Sequence, residues 1–162
     1  MLFGDFDEAN CLHIEKLDFY NKELSFHGIK SVEFVLYRPE KSRLLFVEAK
    51  TALPIKERKG WLDSEITKIS QKFMDSLQLA CGIWLGGHKV KTKLPDNYAN
   101  FFGKGVQIVF ILVIKRREGD LLHIADAIKT RLLKEHKLWN FSVLALNEEL
   151  ARNKDLVVKS ES

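Results

Sequence analysis

Ser31-Val-Glu-Phe-Val-Leu-Tyr-Arg-Pro-Glu-Lys-Ser-Arg-Leu-Leu-Phe-Val-Glu-Ala-Lys50 reads as two strands joined by a tight polar turn. Residues 32–37 form the first strand and 44–50 the second. Residues 38–42 make the turn, with Pro39 preset for a bend. Residues two apart on a strand share a face, so Glu48 and Lys50 leave the second strand side by side. Glu33 belongs to the first strand. Glu48 directly follows Leu44-Leu45-Phe46-Val47, where a charge without a partner is costly.

Upstream, residues 12–20 mix apolar and polar side chains with a rough period of two, which predicts a strand. Asn21-Lys22 is a plausible turn, and 23–27 a second short strand ended by Gly28. With the central pair these make an antiparallel meander. The opening, through Asn10, is polar and reads as short helix or coil. Downstream, 51–60 is a basic loop containing Pro54, Lys56, Arg58 and Lys59. A long helix is expected over 62–85, with the apolar stripe Leu62, Ile66, Ile69, Phe73, Leu77 and Ala80 at spacings of three and four. Asp63 or Ser64 is its expected N-cap and Gly86-Gly87 its end.

Residues 88–105 read as a loop carrying Lys89, Lys91, Lys93 and several aromatics. Residues 106–115 form an apolar strand suited to the middle of a sheet. An amphipathic helix over 120–136 turns Leu121, Ala125, Ile128 and Leu132 inward, and 141–146 is a last strand. The tail after Glu148 is polar and expected to fray. This order implies an α/β (α+β) domain with a mixed central sheet and helices packed on it. The whole chain, 1–162, is one domain, with its core over about 12–147 and the tail at 148–162.

At 162 residues and net charge +4, the chain is long enough for a proper core and mildly basic, which permits a nucleic-acid partner. Cys11 and Cys81 are far apart and lack zinc-ligand spacing. The opening residues lack a secretory signal, and the longest apolar run is too short to span a bilayer. The expectation is a cytoplasmic protein with reduced thiols and no membrane partner. Residues 82–87 are glycine-rich but lack the Gly-Lys-Ser/Thr of a phosphate loop. No nucleophile-elbow serine is present, and the histidines share no metal-ligand spacing.

Two carboxylates and an amine at the end of a hydrophobic sheet are the parts of a magnesium-dependent phosphodiester-cleaving site. An acid on one strand, Glu-Ala-Lys on the next and then a long helix resemble the PD-(D/E)XK nuclease superfamily, which has the restriction-endonuclease-like fold. The resemblance covers about residues 31–115. Glu57-Arg58-Lys59 and Glu135-His136-Lys137 share the acid-x-Lys spacing but lie on no expected strand. The chain departs from the pattern at Glu33, where the family usually has Asp preceded by Pro.

The resemblance implies a metal-dependent nuclease acting on DNA or RNA, with Mg2+ or Mn2+ held by Glu33, Glu48 and the Ala49 carbonyl. Lys50 orients the water and stabilises developing charge. A polar or basic helix residue commonly completes such sites. At about 100° per residue, Glu65, Lys72 and Ser76 lie on one flank of the stripe. Lys72 is the first choice and Ser76 the second. Lys56, Arg58, Lys59, Lys89, Lys91 and Lys93 are the expected phosphate contacts, with Lys115-Arg116-Arg117 as a further basic run. The alternatives are a catalytically inactive nucleic-acid-binding or protein-interaction module on the same fold, and a solvated ion-pair patch on an unrelated domain. A homodimer is an open option.

Overall fold

The computed structural model describes residues 2–53, 60–86, 95, 97–98, 105–116 and 119–158. In chain order the elements are β1 (Leu2–Phe3), β2 (Cys11–Leu12), β3 (Phe34–Arg38), β4 (Arg43–Lys50), α1 (Trp61–Trp84), β5 (Gln107–Ile114), α2 (Leu121–Arg131), α3 (Leu133–Trp139), β6 (Ser142–Asn147), α4 (Glu148–Arg152) and β7 (Val157–Val158). Five strands form one mixed sheet in the order β2-β3-β4-β5-β6, and β1 pairs with β7 in a separate two-stranded ribbon. β3 runs antiparallel to both β2 and β4, whereas β4, β5 and β6 are mutually parallel.

The central strands are apolar on both sides because both faces are covered. One face carries Val35, Tyr37, Leu44, Phe46, Phe110, Leu112 and Ile114, packed against α1 and α2. The other carries Phe34, Leu36, Leu45, Val47, Val109, Ile111 and Val113, packed against Ala151 of α4 and the segment ending in β7. A parallel pair needs a long crossover, and α1 supplies it between β4 and β5. Its stripe Ile66, Ile69, Phe73, Leu77 and Ala80 is buried as expected. Among the described residues no helix is long and apolar enough to cross a membrane.

Several local expectations need correction. Residues 12–27 form only the short β2; the rest is helical turns at Ile14–Lys16, Tyr20–Leu24 and Ser25–His27. Phe19 and Tyr20 are adjacent and both buried, which a half-exposed strand cannot achieve. The opening residues are partly strand, since β1 pairs with β7. α1 starts at a Gly60 N-cap in the left-handed region (φ 95°) without a side-chain cap bond. Asp63 pairs instead with Arg131 of α2.

The single helix expected over 120–136 is two, broken at Leu132. Leu132 stays buried, and the redirected chain packs His136 edge-on against Phe141, centroids 5.2 Å apart. The tail does not fray over 148–158. The Asn147 side chain accepts from the Leu150 N–H at 2.8 Å and caps α4. Ala151, Leu156 and Val157 then cover the second face of the sheet. Arg38 donates to the Lys154 carbonyl at 2.6 Å. The core therefore extends beyond residue 147.

Phe110 is the hub of the core. It is stacked on Phe73 at 4.7 Å and also touches Phe141 (4.4 Å) and Phe46 (5.6 Å). Phe110→Ala is expected to cost about 3–5 kcal/mol in chemical denaturation, because a fully buried aromatic leaves a cavity its rigid neighbours cannot fill.

Candidate active site

β4 ends in the residues that matter. Glu48 and Lys50 share the parity of Leu44 and Phe46, so they face α1. β3 begins at Phe34, which pairs with Val47, so Glu33 lies just before the strand, at the Glu48 end of the pair. α1 also anchors the chain that leads into Glu33. Asp75 accepts from the Lys30 N–H at 2.8 Å, and Ser76 Oγ accepts from the Val32 N–H at 2.9 Å.

Glu48 is fully buried, at 0% exposure, whereas Glu33 is exposed. Lys72, from α1, straddles the buried carboxylate. Its Nζ lies 2.8 Å from Oε1 and donates to Oε2 at 3.0 Å. Lys50 Nζ approaches Oε1 at 3.6 Å. Oε1 is thus answered by two ammonium groups, Lys72 at 2.8 Å and Lys50 at 3.6 Å. Glu65 closes the group, 3.9 Å from Lys50 Nζ and 2.7 Å from Lys68 Nζ.

Burial pushes the Glu48 carboxyl above its usual range. The Lys72 hydrogen bond and charge oppose that shift, as does the Lys50 charge. The Glu33 charge adds to it, which places Glu33 within electrostatic reach.

Glu48, Lys50 and Lys72 thus gather at one end of the sheet, with Glu33 just before β3 within electrostatic reach and Ala49 half-buried between Glu48 and Lys50. Ser76 does not join them, because it is spent on the Val32 N–H. Glu65 is the member that sequence reasoning left without a role, although its spacing of two helical turns from Lys72 put it on the same flank. Lys56, Arg58, Lys59, Lys89, Lys91 and Lys93 lie outside the described residues. Lys115 and Arg116 are exposed at the same sheet end, and their N–H groups donate to the carbonyls of Lys50 and Thr51 at 2.9 and 3.0 Å.

The residues suit a particular kind of cation. Among the described residues no cluster of three or more His, Cys, Asp or Glu is placed to hold a metal, which argues against a zinc-type site. Magnesium needs only one or two carboxylates, with waters completing its shell. Glu48 would supply one such carboxylate, at present faced by the Lys72 and Lys50 ammonium groups, and Glu33 the second. A hollow of about 880 Å³ beside His136 and Trp139 lies at the opposite end of β5 and β6 and has no carboxylate in its lining. Cys11 is no competing nucleophile, since burial pushes its thiol up to about 11. Comparison with protein-family models, curated proteins and solved structures finds no match to this chain.

The Glu48 environment predicts a titration. Its carbon resonance should titrate above the ordinary glutamate value of about 4.3, and higher still in Lys72→Met, where the largest opposing influence is gone. Because the folded pKa is raised, ionising Glu48 opposes folding. Its contribution to stability is full below the unfolded pKa and is lost as pH rises through the folded one. A wild-type value at or below 4.3 by NMR would show that the pairing outweighs burial.

Proposed function

We propose that the chain is a metal-dependent nuclease of the PD-(D/E)XK type, hydrolysing phosphodiester bonds of DNA or RNA. The observation that carries this reading is the convergence of Glu48, Lys50 and Lys72 under α1, with Glu33 within electrostatic reach. The location also supports it. The group sits at the carboxyl end of the parallel pair β4 and β5, where open α/β sheets place ligands. The sequential strand order, with an antiparallel meander followed by a helical crossover, suits a restriction-endonuclease-like core.

Glu33, Glu48 and the Ala49 carbonyl would hold a magnesium ion. When bound, the ion supplies an acidified water and neutralises phosphate oxygens. Lys50 orients that water and stabilises the charge that develops on the phosphoryl oxygens. Water attacks phosphorus, the bond to the leaving sugar oxygen breaks, and that oxygen is protonated. Lys115 and Arg116, exposed at the same sheet end, would contact the flanking backbone.

A second reading is a catalytically inactive nucleic-acid-binding module on the same scaffold. Glu33 in place of Asp favours it, as does the contact of Lys72 with both Glu48 oxygens.

Cleavage assays on plasmid DNA and on RNA, with Mg2+, Mn2+ or chelator, decide between them. Glu48→Ala and Lys50→Ala should each lower the metal-dependent rate by about a hundredfold or more, the usual loss for one charge-stabilising group. Binding should persist in both and weaken with salt. Wild-type protein that cuts neither substrate with either metal establishes the binding module; Lys50→Ala that cuts like wild type removes Lys50 from the site.

A further inference from the structure

We infer that Lys72 is a cation gate: its ammonium holds the place on Glu48 that a divalent metal takes, and metal binding releases it toward the phosphate. This rests on the metal-dependent reading of the site.

The geometry carries the inference. Lys72 Nζ lies 2.8 and 3.0 Å from the two Glu48 oxygens. An ammonium so placed fills the space in front of both lone-pair sets, where a ligated cation would sit. Lys50 is set back, its nearest approach to the carboxylate being 3.6 Å, to Oε1. The two lysines are therefore not equivalent. Lys50 can stay while a metal binds, but Lys72 must move.

The charges around Glu48 give Lys72 a reason to leave and a place to go. Glu33, Glu48 and Glu65 face Lys50, Lys68 and Lys72, so the group is close to neutral as it stands. Glu65 already faces Lys68 at 2.7 Å and Lys50 at 3.9 Å, so a third ammonium there would crowd it. A divalent cation makes the site positive. The released ammonium is then best answered by an anion entering from solvent, and a phosphodiester is that anion. The Lys72 side chain is 25% exposed, so its path outward is short. Metal and phosphate thereby bind cooperatively: each favours the open position of Lys72, and by linkage the assistance is mutual.

The gate also lowers the apparent metal affinity. A site competent in only a fraction of molecules binds with its dissociation constant divided by that fraction.

The test titrates Mn2+ alone into wild type, Lys72→Met and Lys68→Met by calorimetry at pH 8. Lys68→Met removes an equal charge from the outer part of the group and reports the general field. A gate predicts that Lys72→Met binds Mn2+ about tenfold more tightly than wild type, and Lys68→Met within about twofold. A second measurement needs no variant. Reductive methylation of wild type, read by mass spectrometry, should modify Lys72 faster when Mn2+ is saturating. Should Lys72→Met fail to fold, the labelling result decides alone. If wild type binds Mn2+ but Lys72→Met binds no more tightly than Lys68→Met, or Lys72 labelling does not rise, the gate is wrong and the metal site stands. If none of the folded proteins binds Mn2+, the metal reading fails and the gate with it.

Discussion

Glu48 carries a negative charge into a layer of the protein with no water to solvate it, and much of the surrounding structure answers that charge. A carboxylate taken out of water without compensation costs several kcal/mol. Lys72 supplies the compensation, and it can do so because the buried apolar stripe of α1 fixes the rotation of the helix. With Lys72 turned to the sheet end, Ile69, Phe73 and Leu77 fall on the core face at 0% exposure. Asp75 and Ser76 then reach the backbone of Lys30 and Val32, which aims β3 and hence Glu33. A one-residue slip of the helix would turn each side chain by about 100° and lose all of these contacts together.

The parts that were legible in the sequence are those whose signals are local. The β3–β4 hairpin announced itself by two apolar runs around Pro39, and α1 by a stripe that six residues share. β5 stood out as a continuous apolar run, which needs cover on both faces. What was not legible depends on distant partners. Tyr98 lies in a region that reads as loop, yet it is fully buried, with its hydroxyl donating to the carbonyl of Val35 at 2.6 Å. The 148–158 segment looks polar because its buried members, Ala151, Leu156 and Val157, are few and unevenly spaced. In the site, the 100° spacing put Lys72 on the right flank of the helix. It could not show that Lys72 reaches both oxygens of Glu48, because that depends on how closely α1 lies on β4. Glu65 was on the same flank, but its position between Lys50 and Lys68 is a matter of side-chain reach.

The Glu48–Lys72 pair is a poor device for stability alone. Exposed pairs such as Lys22–Asp18, at 3.4 Å, contribute at most about 1 kcal/mol. Buried pairs often do no better than apolar residues of similar volume, because desolvation offsets the attraction. The surroundings here would accept such a replacement. Phe46 and Leu112 lie nearby in the sheet, and Ile69 and Phe73 line the helix above. A site that is packed like a core but holds an ion pair has a physical reason to be read as chemistry, and this weighs against the solvated-patch alternative. Glu48 is not solvated.

The two carboxylates differ in a way that gives the proposed site a direction. Glu33 is exposed and Glu48 is not, so a hydrated cation meets Glu33 first. Magnesium gives up its waters reluctantly and keeps several when bound. A ligand on the solvent side tolerates those waters, and one methylene more than Asp gives Glu33 added reach. Glu48, on the dry side, cannot be left without a counter-charge at any stage. In the metal-free protein that charge is the Lys72 ammonium, and in the proposed metal-bound state it is the cation. In the proposed exchange two positive charges would replace one at the same oxygens, and the surplus would be available to an incoming phosphate at the moment the site is loaded.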